Sequence, residues 1–133
     1  QERLDGRLCL FDEYYAIELQ DDAQLAAGLA RPYPAPEYAV VDKSAASLKG
    51  RMHMLGIYTK NGAPSVDESV KTMRHAIGAD ANSYRRVLVH PRCRHFRSEM
   101  LSYRRDANGA IVKQFDHGPD AARYYLWTKR YEG

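Results

Sequence analysis

Acidic and imidazole side chains lie close together in a short stretch near the C-terminal end of the chain. Asp116 and His117 precede a Gly-Pro pair, and Asp120 follows it. Proline favours the first turn of a helix, because its missing N–H has no partner there. If a helix begins at residue 116 or 117, these three side chains project close to one another. Two carboxylates and an imidazole in this arrangement predict half of a divalent-metal site. The alternative is that these residues cap the N-terminus of the helix, where negative charge interacts favourably with the helix dipole.

Another acid follows a predicted buried strand. Residues 38–41 form a short apolar run that predicts the strand, and Asp42 stands at its C-terminal end. In open α/β sheets, functional groups gather at the carboxyl ends of the strands. Asp42 is therefore a candidate site residue, and capping of the next helix is its alternative role.

Basic residues are concentrated in one part of the chain, although the formal net charge is only +3. Between Arg85 and Arg105 there are seven arginines and one acid, Glu99. A concentrated basic face suits a polyphosphate backbone, because each contact with a phosphate releases counterions. A solvated basic surface without a ligand is the alternative. We predict DNA contacts for five of these arginines: Arg92, Arg94, Arg97, Arg104 and Arg105.

Length and composition are typical of one soluble globular domain. With 133 residues, 44% of them hydrophobic and 28% charged, the chain is long enough to form a core. The sequence has no apolar run that could span a membrane, no signal peptide and no Gly-rich loop of an ATPase. Cys9 and Cys93 form no paired metal motif, so we expect reduced thiols. His90, Cys93 and His95 indicate zinc only weakly, because no fourth ligand lies at a recognisable spacing.

Short strands and helices are predicted around these residues. The Asp-Gly pair at residues 5–6 predicts a hairpin turn within residues 1–15, and the prolines of residues 31–36 exclude regular structure there. Ser65 and Glu68 form a capping box that opens a helix. The remaining patterns predict helices over 21–30, 44–55, 93–104 and 116–131, and strands over 38–41, 57–59 and 86–90.

Five segments, in the order found here, resemble the C-terminal nuclease domain of phage terminase large subunits. They are the hairpin ending in Asp-Glu-Tyr-Tyr, the strand ending at Asp42, the capping-box helix, the helix that contains Cys93, and the closing motif Asp-His-x-x-Asp-Ala-x-Arg-Tyr. The resemblance implies one domain over residues 1–133, with an RNase H-like α/β fold in which helices flank a mixed sheet. It also implies that Glu13 is structural or peripheral rather than a metal ligand.

The resemblance further implies a metal-dependent endonuclease that cuts concatemeric double-stranded DNA. Enzymes of this kind hold two Mg²⁺ or Mn²⁺ ions among three acids, and the ions activate water and stabilise the leaving oxygen. Asp42 corresponds to the second acid and Asp120 to the third. His117 is then a metal ligand or a partner of the attacking water or phosphate, and Asp116 is the remaining candidate ligand.

The first acid of the family lies on a strand that precedes the hairpin. Because this sequence begins within the hairpin, we expect that strand and the ATPase domain to be absent, and the fragment to be weak or inactive alone. The expected partners are double-stranded DNA, the ATPase domain of the parent polypeptide, the small terminase subunit and the portal, in the cytoplasm of a bacterial host. The alternatives are a noncatalytic DNA-binding or docking module, and another RNase H-like enzyme such as a transposase or resolvase.

Overall fold

Short strands and helices alternate along the chain in a computed structural model, which describes residues 1–14, 21–78, 81–82, 85–112, 114 and 116–131, apart from the side chains of residues 21, 24 and 131. The strands are β1 (Leu8–Leu10), β2 (Ala39–Val41), β3 (Thr59–Asn61) and β4 (Val87–Val89). The helices are α1 (Asp21–Leu29), α2 (Ala46–Met54), α3 (Val66–Ile77), α4 (Arg94–Ser102) and α5 (His117–Tyr131). None of the helices in these ranges is long and apolar enough to cross a membrane.

The strands pair in two parallel sheets of two strands each. β1 pairs with β4, which places Leu8 opposite Val87, and β2 pairs with β3, which places Ala39 opposite Thr59. Antiparallel pairing within the described residues is limited to isolated bridges such as the one between Glu2 and Leu8. The predicted α/β class, with helices flanking the strands, is confirmed.

The N-terminal hairpin forms at the predicted turn. Gly6 has a φ of 82°, in the left-handed region that glycine adopts without strain. The backbone N–H of Arg3 donates to the carbonyl of Arg7 at 2.8 Å, which closes the turn. The turn prediction is therefore confirmed. The second strand, predicted over residues 7–15, is shorter than predicted because β1 ends at Leu10, and Tyr15 lies outside the described residues.

The C-terminal end of α2 explains why one strand is displaced from its predicted position. β3 begins at Thr59, whereas the sequence pattern predicts a strand from residue 57. Gly56 has a φ of 76°, and its N–H donates to the carbonyl of His53 at 3.0 Å, while the N–H of Ile57 donates to the carbonyl of Met52 at 2.9 Å. These bonds satisfy the last carbonyls of the helix. The backbone is therefore available for pairing with β2 only after Ile57.

Helix α5 packs against α3, α4 and β2. Its Ala122 and Leu126 are buried one helical turn apart and face the main core. The other buried members of this core come from the surrounding elements: Leu8, Met73, Val87, Cys93 and Phe96. The helical spacing of Tyr124, Trp127 and Tyr131 predicts that the three rings lie in the core. Tyr124 and Trp127 are only half-buried, because Ala122 and Leu126 occupy the inward face, and the side chain of Tyr131 lies outside the described part of the chain.

Gly62 follows β3 at a place where no side chain fits. A Cβ atom built on Gly62 would lie 2.6 Å from Cγ of Tyr124. We predict that Gly62→Ala displaces the Tyr124 ring and lowers the free energy of unfolding by about 1–3 kcal/mol, measured by urea denaturation.

Gly50→Ala is the matched control for this change. Gly50 lies within α2, and no atom lies within 4 Å of a Cβ built there. Alanine in a helix interior is expected to raise the free energy of unfolding by about 0.5–1 kcal/mol. Similar effects of the two substitutions would contradict the close contact between Gly62 and Tyr124.

Candidate acidic site

Asp42 lies directly after β2, and both of its carboxylate oxygens accept hydrogen bonds. Oδ1 accepts from the backbone N–H and from the hydroxyl of Ser44, both at 2.8 Å, and Oδ2 accepts from the hydroxyl of Tyr124 at 3.0 Å. The bonds from Ser44, and then the bond from Tyr124, hold the pKa of Asp42 below its ordinary value. Asp42 is therefore ionised at neutral pH. It does not cap α2 itself, because the N-cap residue of that helix is Ala45.

Tyr124 connects this strand end to helix α5. Its ring lies against Gly62, and its hydroxyl donates to Asp42. Burial, followed by the hydrogen bond to Asp42, raises the pKa of Tyr124, so the phenol remains a hydrogen-bond donor at neutral pH. Asp120 lies about one turn earlier on the same helix. The hydrogen bond thus joins the end of β2, which carries Asp42, to the helix that carries Asp120.

Asp120 belongs to a hydrogen-bonded network that joins three helices. Its Oδ1 accepts from the hydroxyl of Tyr103 at 2.9 Å and forms an ion pair with Arg123 at 3.1 Å. Arg123 also donates to the hydroxyl of Ser69 at 2.8 Å, and its guanidinium lies 4.7 Å from the centroid of the Tyr124 ring. Ser69 belongs to α3 and Tyr103 follows the last residue of α4. The position of Asp120 is therefore fixed by contacts from several elements.

The charge of Arg123 is almost completely enclosed. Its side chain is 3% exposed, and its Nε is buried without a hydrogen-bond partner among the described residues. Burial lowers the pKa of Arg123, but the adjacent Asp120 carboxylate outweighs this effect and raises the pKa above its ordinary value. Burial, together with the charge of Asp120, raises the pKa of Tyr103 to about 12. Arg123 thus stays charged, and the Tyr103 hydroxyl stays protonated, at neutral pH.

The other two predicted ligands stand at the start of α5 in different surroundings. Asp116 is 6% exposed, whereas His117 is exposed. Across the described ranges, no three or more His, Cys, Asp or Glu side chains form a group that could hold a metal ion. The four predicted ligands therefore do not meet in one cluster. The connection that the structure makes is between Asp42 and the helix of Asp120.

A carboxylate of α4 also approaches the first turn of α5, which already contains Asp120. Glu99 is buried, and its Oε2 accepts the backbone N–H of Gly118 at 3.2 Å. A Cβ atom on Gly118 would lie 3.2 Å from Cα of Phe96, so glycine permits this close approach of the two helices. A carboxylate at a helix N-terminus is favourable for the helix dipole. The sequence pattern predicts that Asp116 caps the N-terminus of α5. No local sequence pattern predicts the contact that Glu99 makes there.

Glu13 provides the corresponding contact at the N-terminus of α4. Its Oε1 accepts from the backbone N–H of His95 at 2.7 Å, and its Oε2 accepts from the backbone N–H of Phe96 at 2.9 Å. Burial raises the pKa of Glu13, but the hydrogen bonds from His95 and Phe96 outweigh burial and hold the pKa below its ordinary value. Glu13 thus has a structural role, as the family resemblance implies.

The weakly indicated zinc site does not form in the part of the chain that the structure describes. Cys93 is buried, and its Sγ donates to the carbonyl of Leu10 at 3.4 Å. His90 accepts the backbone N–H of Arg92 on Nδ1 at 3.1 Å, while the ring of His95 contacts the carboxylate that caps α4. The three side chains therefore have separate structural contacts.

The arginines predicted to bind DNA fall into two groups. Arg92, Arg94 and Arg97 surround the first turn of α4 and are exposed, and within the described ranges neither Arg94 nor Arg97 has an acidic partner. Arg104 and Arg105 follow the C-terminal end of this helix, and Arg105 forms an ion pair with an aspartate of α3 at 2.9 Å. The first group is therefore the better placed to contact an external anion.

Three residues of the site were not assigned to it from the sequence: Tyr103, Arg123 and Tyr124. Arg123 and Tyr124 follow Asp120 by three and four residues, so helical spacing alone places them on its face. The Arg-Tyr pair of the closing motif was therefore an available signal. No local sequence pattern predicts the contact between Tyr103 and Asp120, because this contact depends on how α4 packs against α5.

We predict that Glu13→Gln lowers the free energy of unfolding by about 1–2 kcal/mol at neutral pH, because the amide brings no charge to the start of α4. The folded-state pKa of Glu13 lies below the ordinary value of 4.5. Its contribution is therefore present above this pH and is lost as the pH falls through the lower folded-state pKa. Urea denaturation at neutral pH and at about pH 3 measures both effects.

The control is Glu37→Gln, because Glu37 is exposed. This substitution is expected to change the free energy of unfolding by less than about 0.5 kcal/mol. If the effect of Glu13→Gln were as large in acid as at neutral pH, the charge of Glu13 would not be its cause.

No protein-family model matches the sequence, and no curated protein matches it significantly. Its fold does match solved structures of the large terminase from a thermophilic bacteriophage. The TM-score is 0.70 at 23% identity for one of these structures, and 0.73 at 22% identity for the complex with ADP. The complex with ATP-gamma-S gives a TM-score of 0.69 at 23% identity.

These alignments cover most of this chain but a small part of the terminase. They span 83% and 85% of this chain for the first two structures, and 29% of the terminase chain in both cases. The matched region therefore makes up less than a third of the terminase chain. Identity at this level establishes the fold alone. The domain is similar in fold to part of a phage large terminase.

Proposed function

We propose that this chain is the nuclease part of a terminase large subunit and that it hydrolyses phosphodiester bonds of double-stranded DNA with the help of a divalent metal ion. The observation that carries the proposal is the hydrogen bond from Tyr124 to Asp42. It brings the acid at the end of β2 to the helix whose first turn carries Asp120. Open α/β folds place their functional groups at the carboxyl ends of the strands, and Asp42 lies at such an end. The fold shared with a large terminase supports the same proposal.

The donor chemistry of the two acids fits Mg²⁺ or Mn²⁺. Mg²⁺ is commonly bound by one or two carboxylates, with water and substrate phosphates completing its coordination. Oδ2 of Asp42 accepts one hydrogen bond, from Tyr124, and a carboxylate oxygen has room for a second contact. In this proposal Asp42 and Asp120 would hold the ion. A bound ion of this kind activates water and offsets the charge that develops on the phosphate.

The surrounding residues have defined parts in the proposal. Ser44 and Tyr124 keep the Asp42 carboxylate ionised and oriented, while Tyr103 and Arg123 orient Asp120. Hydrogen bonds of this kind to ligating groups normally matter almost as much as the ligands themselves. His117 is exposed at the first residue of α5, where it would contact the attacking water or a DNA phosphate. Asp116, being buried, would support the helix start rather than touch substrate.

Double-stranded DNA is the proposed substrate, and the exposed arginines at the start of α4 are its proposed contacts. Arginines that meet phosphates bind with little sequence preference, because phosphates carry no base information. In the intact polypeptide, we infer that this domain works beside an ATPase domain and with the small terminase subunit and the portal.

A noncatalytic DNA-binding or docking module is the second candidate. It is favoured by one observation: within the described residues, the acids do not form a cluster of three possible metal ligands. In that case Asp42 and Asp120 would serve only to hold β2, α4 and α5 together. The two candidates differ in whether the chain binds a divalent ion at Asp42.

We predict that Asp42→Asn and Asp120→Asn each weaken Mn²⁺ binding by this chain at least tenfold, on the order of the loss seen at metal sites, and that each abolishes nicking of plasmid DNA by the parent polypeptide. Duplex binding should remain nearly unchanged, because phosphate contacts are not removed. Calorimetry measures the Mn²⁺ affinity, and agarose gels measure nicking. Glu37→Gln removes an exposed charge and should leave both unchanged.

Measurement of Mn²⁺ binding distinguishes the metal-dependent nuclease from the noncatalytic module. Mn²⁺ binding that is equally strong in the Asp42→Asn protein would contradict the metal role of Asp42. DNA binding without any Mn²⁺ binding, in the unsubstituted chain, would favour the noncatalytic module. Because Asp120→Asn leaves the buried Arg123 without a charged partner, thermal unfolding of that variant must be measured as well.

We predict that replacing Arg94 and Arg97 together by Gln weakens duplex binding and makes its salt dependence less steep. The logarithm of the association constant falls with the logarithm of the salt concentration by about 0.9 for each phosphate contact, so the loss of two contacts should reduce the magnitude of this slope by about two. The control is Arg74→Gln, which removes an exposed arginine of α3. Fluorescence anisotropy of a labelled duplex at several salt concentrations measures the slope. An unchanged slope in the double variant would exclude these two arginines from the DNA contact.

A further inference from the structure

One cavity of the structure, which shares no residue with the acidic site, is lined by several basic side chains. It encloses about 330 Å³ between α3, α5 and the amino ends of β1 and β4. Leu8, Ala76 and Leu126 form its apolar wall. Four basic residues and one acid stand around this wall: Lys71, His75, Arg86, Arg130 and Glu68. The cavity therefore combines an apolar wall with a rim of net positive charge.

Contacts with Trp127 and Thr72 help to hold Arg130 at the rim of this cavity. Its guanidinium lies 4.5 Å from the centroid of the Trp127 ring, and its Nη1 donates to the hydroxyl of Thr72 at 3.2 Å. Thr72 in turn donates to the carbonyl of Glu68 at 2.9 Å. An arginine restrained in this way loses less conformational entropy when it binds a ligand.

We propose that this cavity binds the phosphate monoester of a nucleotide, either free or at the 5′ end of a DNA strand. Lys71, Arg86 and Arg130 are permanent cations, and charge-assisted hydrogen bonds from such groups suit a dianionic phosphate. The apolar wall offers a surface for the nucleoside. The volume of 330 Å³ lies at the lower end of the range of about 300–1,000 Å³ for small-ligand sites.

The concave shape favours a terminal phosphate over one within a continuous strand. A strand that passes through must leave a cavity in two directions, whereas Leu8 and Leu126, which are almost fully buried, close its inner wall. A phosphate at a strand end, or on a free nucleotide, needs only one opening. The proposal does not rest on metal binding at Asp42, because the two sites share no residue.

Trp127 makes this proposal directly measurable. It is the one tryptophan of the chain, and Arg130 covers its ring. Titration with deoxyadenosine 5′-monophosphate, in a buffer with EDTA to remove divalent ions, should give a saturable change in tryptophan fluorescence and a matching calorimetric affinity. Lys71→Gln and Arg86→Gln should each weaken binding about tenfold or more, the expected loss for a charge-assisted hydrogen bond. Arg74→Gln, which removes an exposed arginine of α3 outside the cavity, should leave the affinity unchanged.

Competition experiments distinguish the two sources of the phosphate. If a DNA end is bound, a 5′-phosphorylated duplex displaces the nucleotide and the same duplex with a 5′-hydroxyl does not. If only free nucleotides are bound, neither duplex competes. The proposal is overturned if both methods detect no saturable binding, or if Lys71→Gln and Arg86→Gln bind as tightly as the unsubstituted chain. Asp42→Asn should bind the nucleotide normally, which separates this result from the outcome for the metal site.

Discussion

The ion pair between Asp120 and Arg123 is the constraint on which the acidic site depends. A buried guanidinium costs several kcal/mol unless its charge and its N–H groups are matched by the protein. Arg123 meets this requirement through Asp120 on its own helix and through Ser69 on α3. Ser69 is itself fully buried. Helix α5 can therefore dock on α3 in few positions, and the position adopted places Tyr124 against the end of β2.

Two further carboxylates fix the helices that surround this pair. Glu13, which follows β1, binds the first backbone N–H groups of α4, and Glu99 on α4 binds the first turn of α5. The start of α4 thus receives negative charge from outside the helix, and the start of α5 receives it from Glu99 as well as from Asp120 in its own first turn. Such contacts depend on tertiary structure, so they align β1, α4 and α5 as well as stabilising each helix end.

Much of the fold was predictable from the sequence because its signals are local. Asp5-Gly6 predicts the hairpin turn, and Ser65 with Glu68 predicts the start of α3, where the Ser65 side chain does accept the N–H of Glu68. The position of β3 was less predictable, because the C-terminal turn of α2 uses the backbone up to Ile57. The contacts of the site were hardest to predict. Tyr124 and Asp42 are 82 residues apart, and no local pattern reports which side chains meet over that separation.

The same separation has a consequence for folding kinetics. Contacts between residues distant in sequence require closure of a long loop, which slows folding relative to local contacts. Asp42 lies in the first half of the chain, while Tyr124 and Asp120 lie on α5, which follows every other described element. During synthesis, the strand that carries Asp42 leaves the ribosome well before this helix does. The hydrogen bond between Tyr124 and Asp42 can therefore form only after α5 has been synthesised and has docked, and a chain in which α5 is undocked lacks this contact.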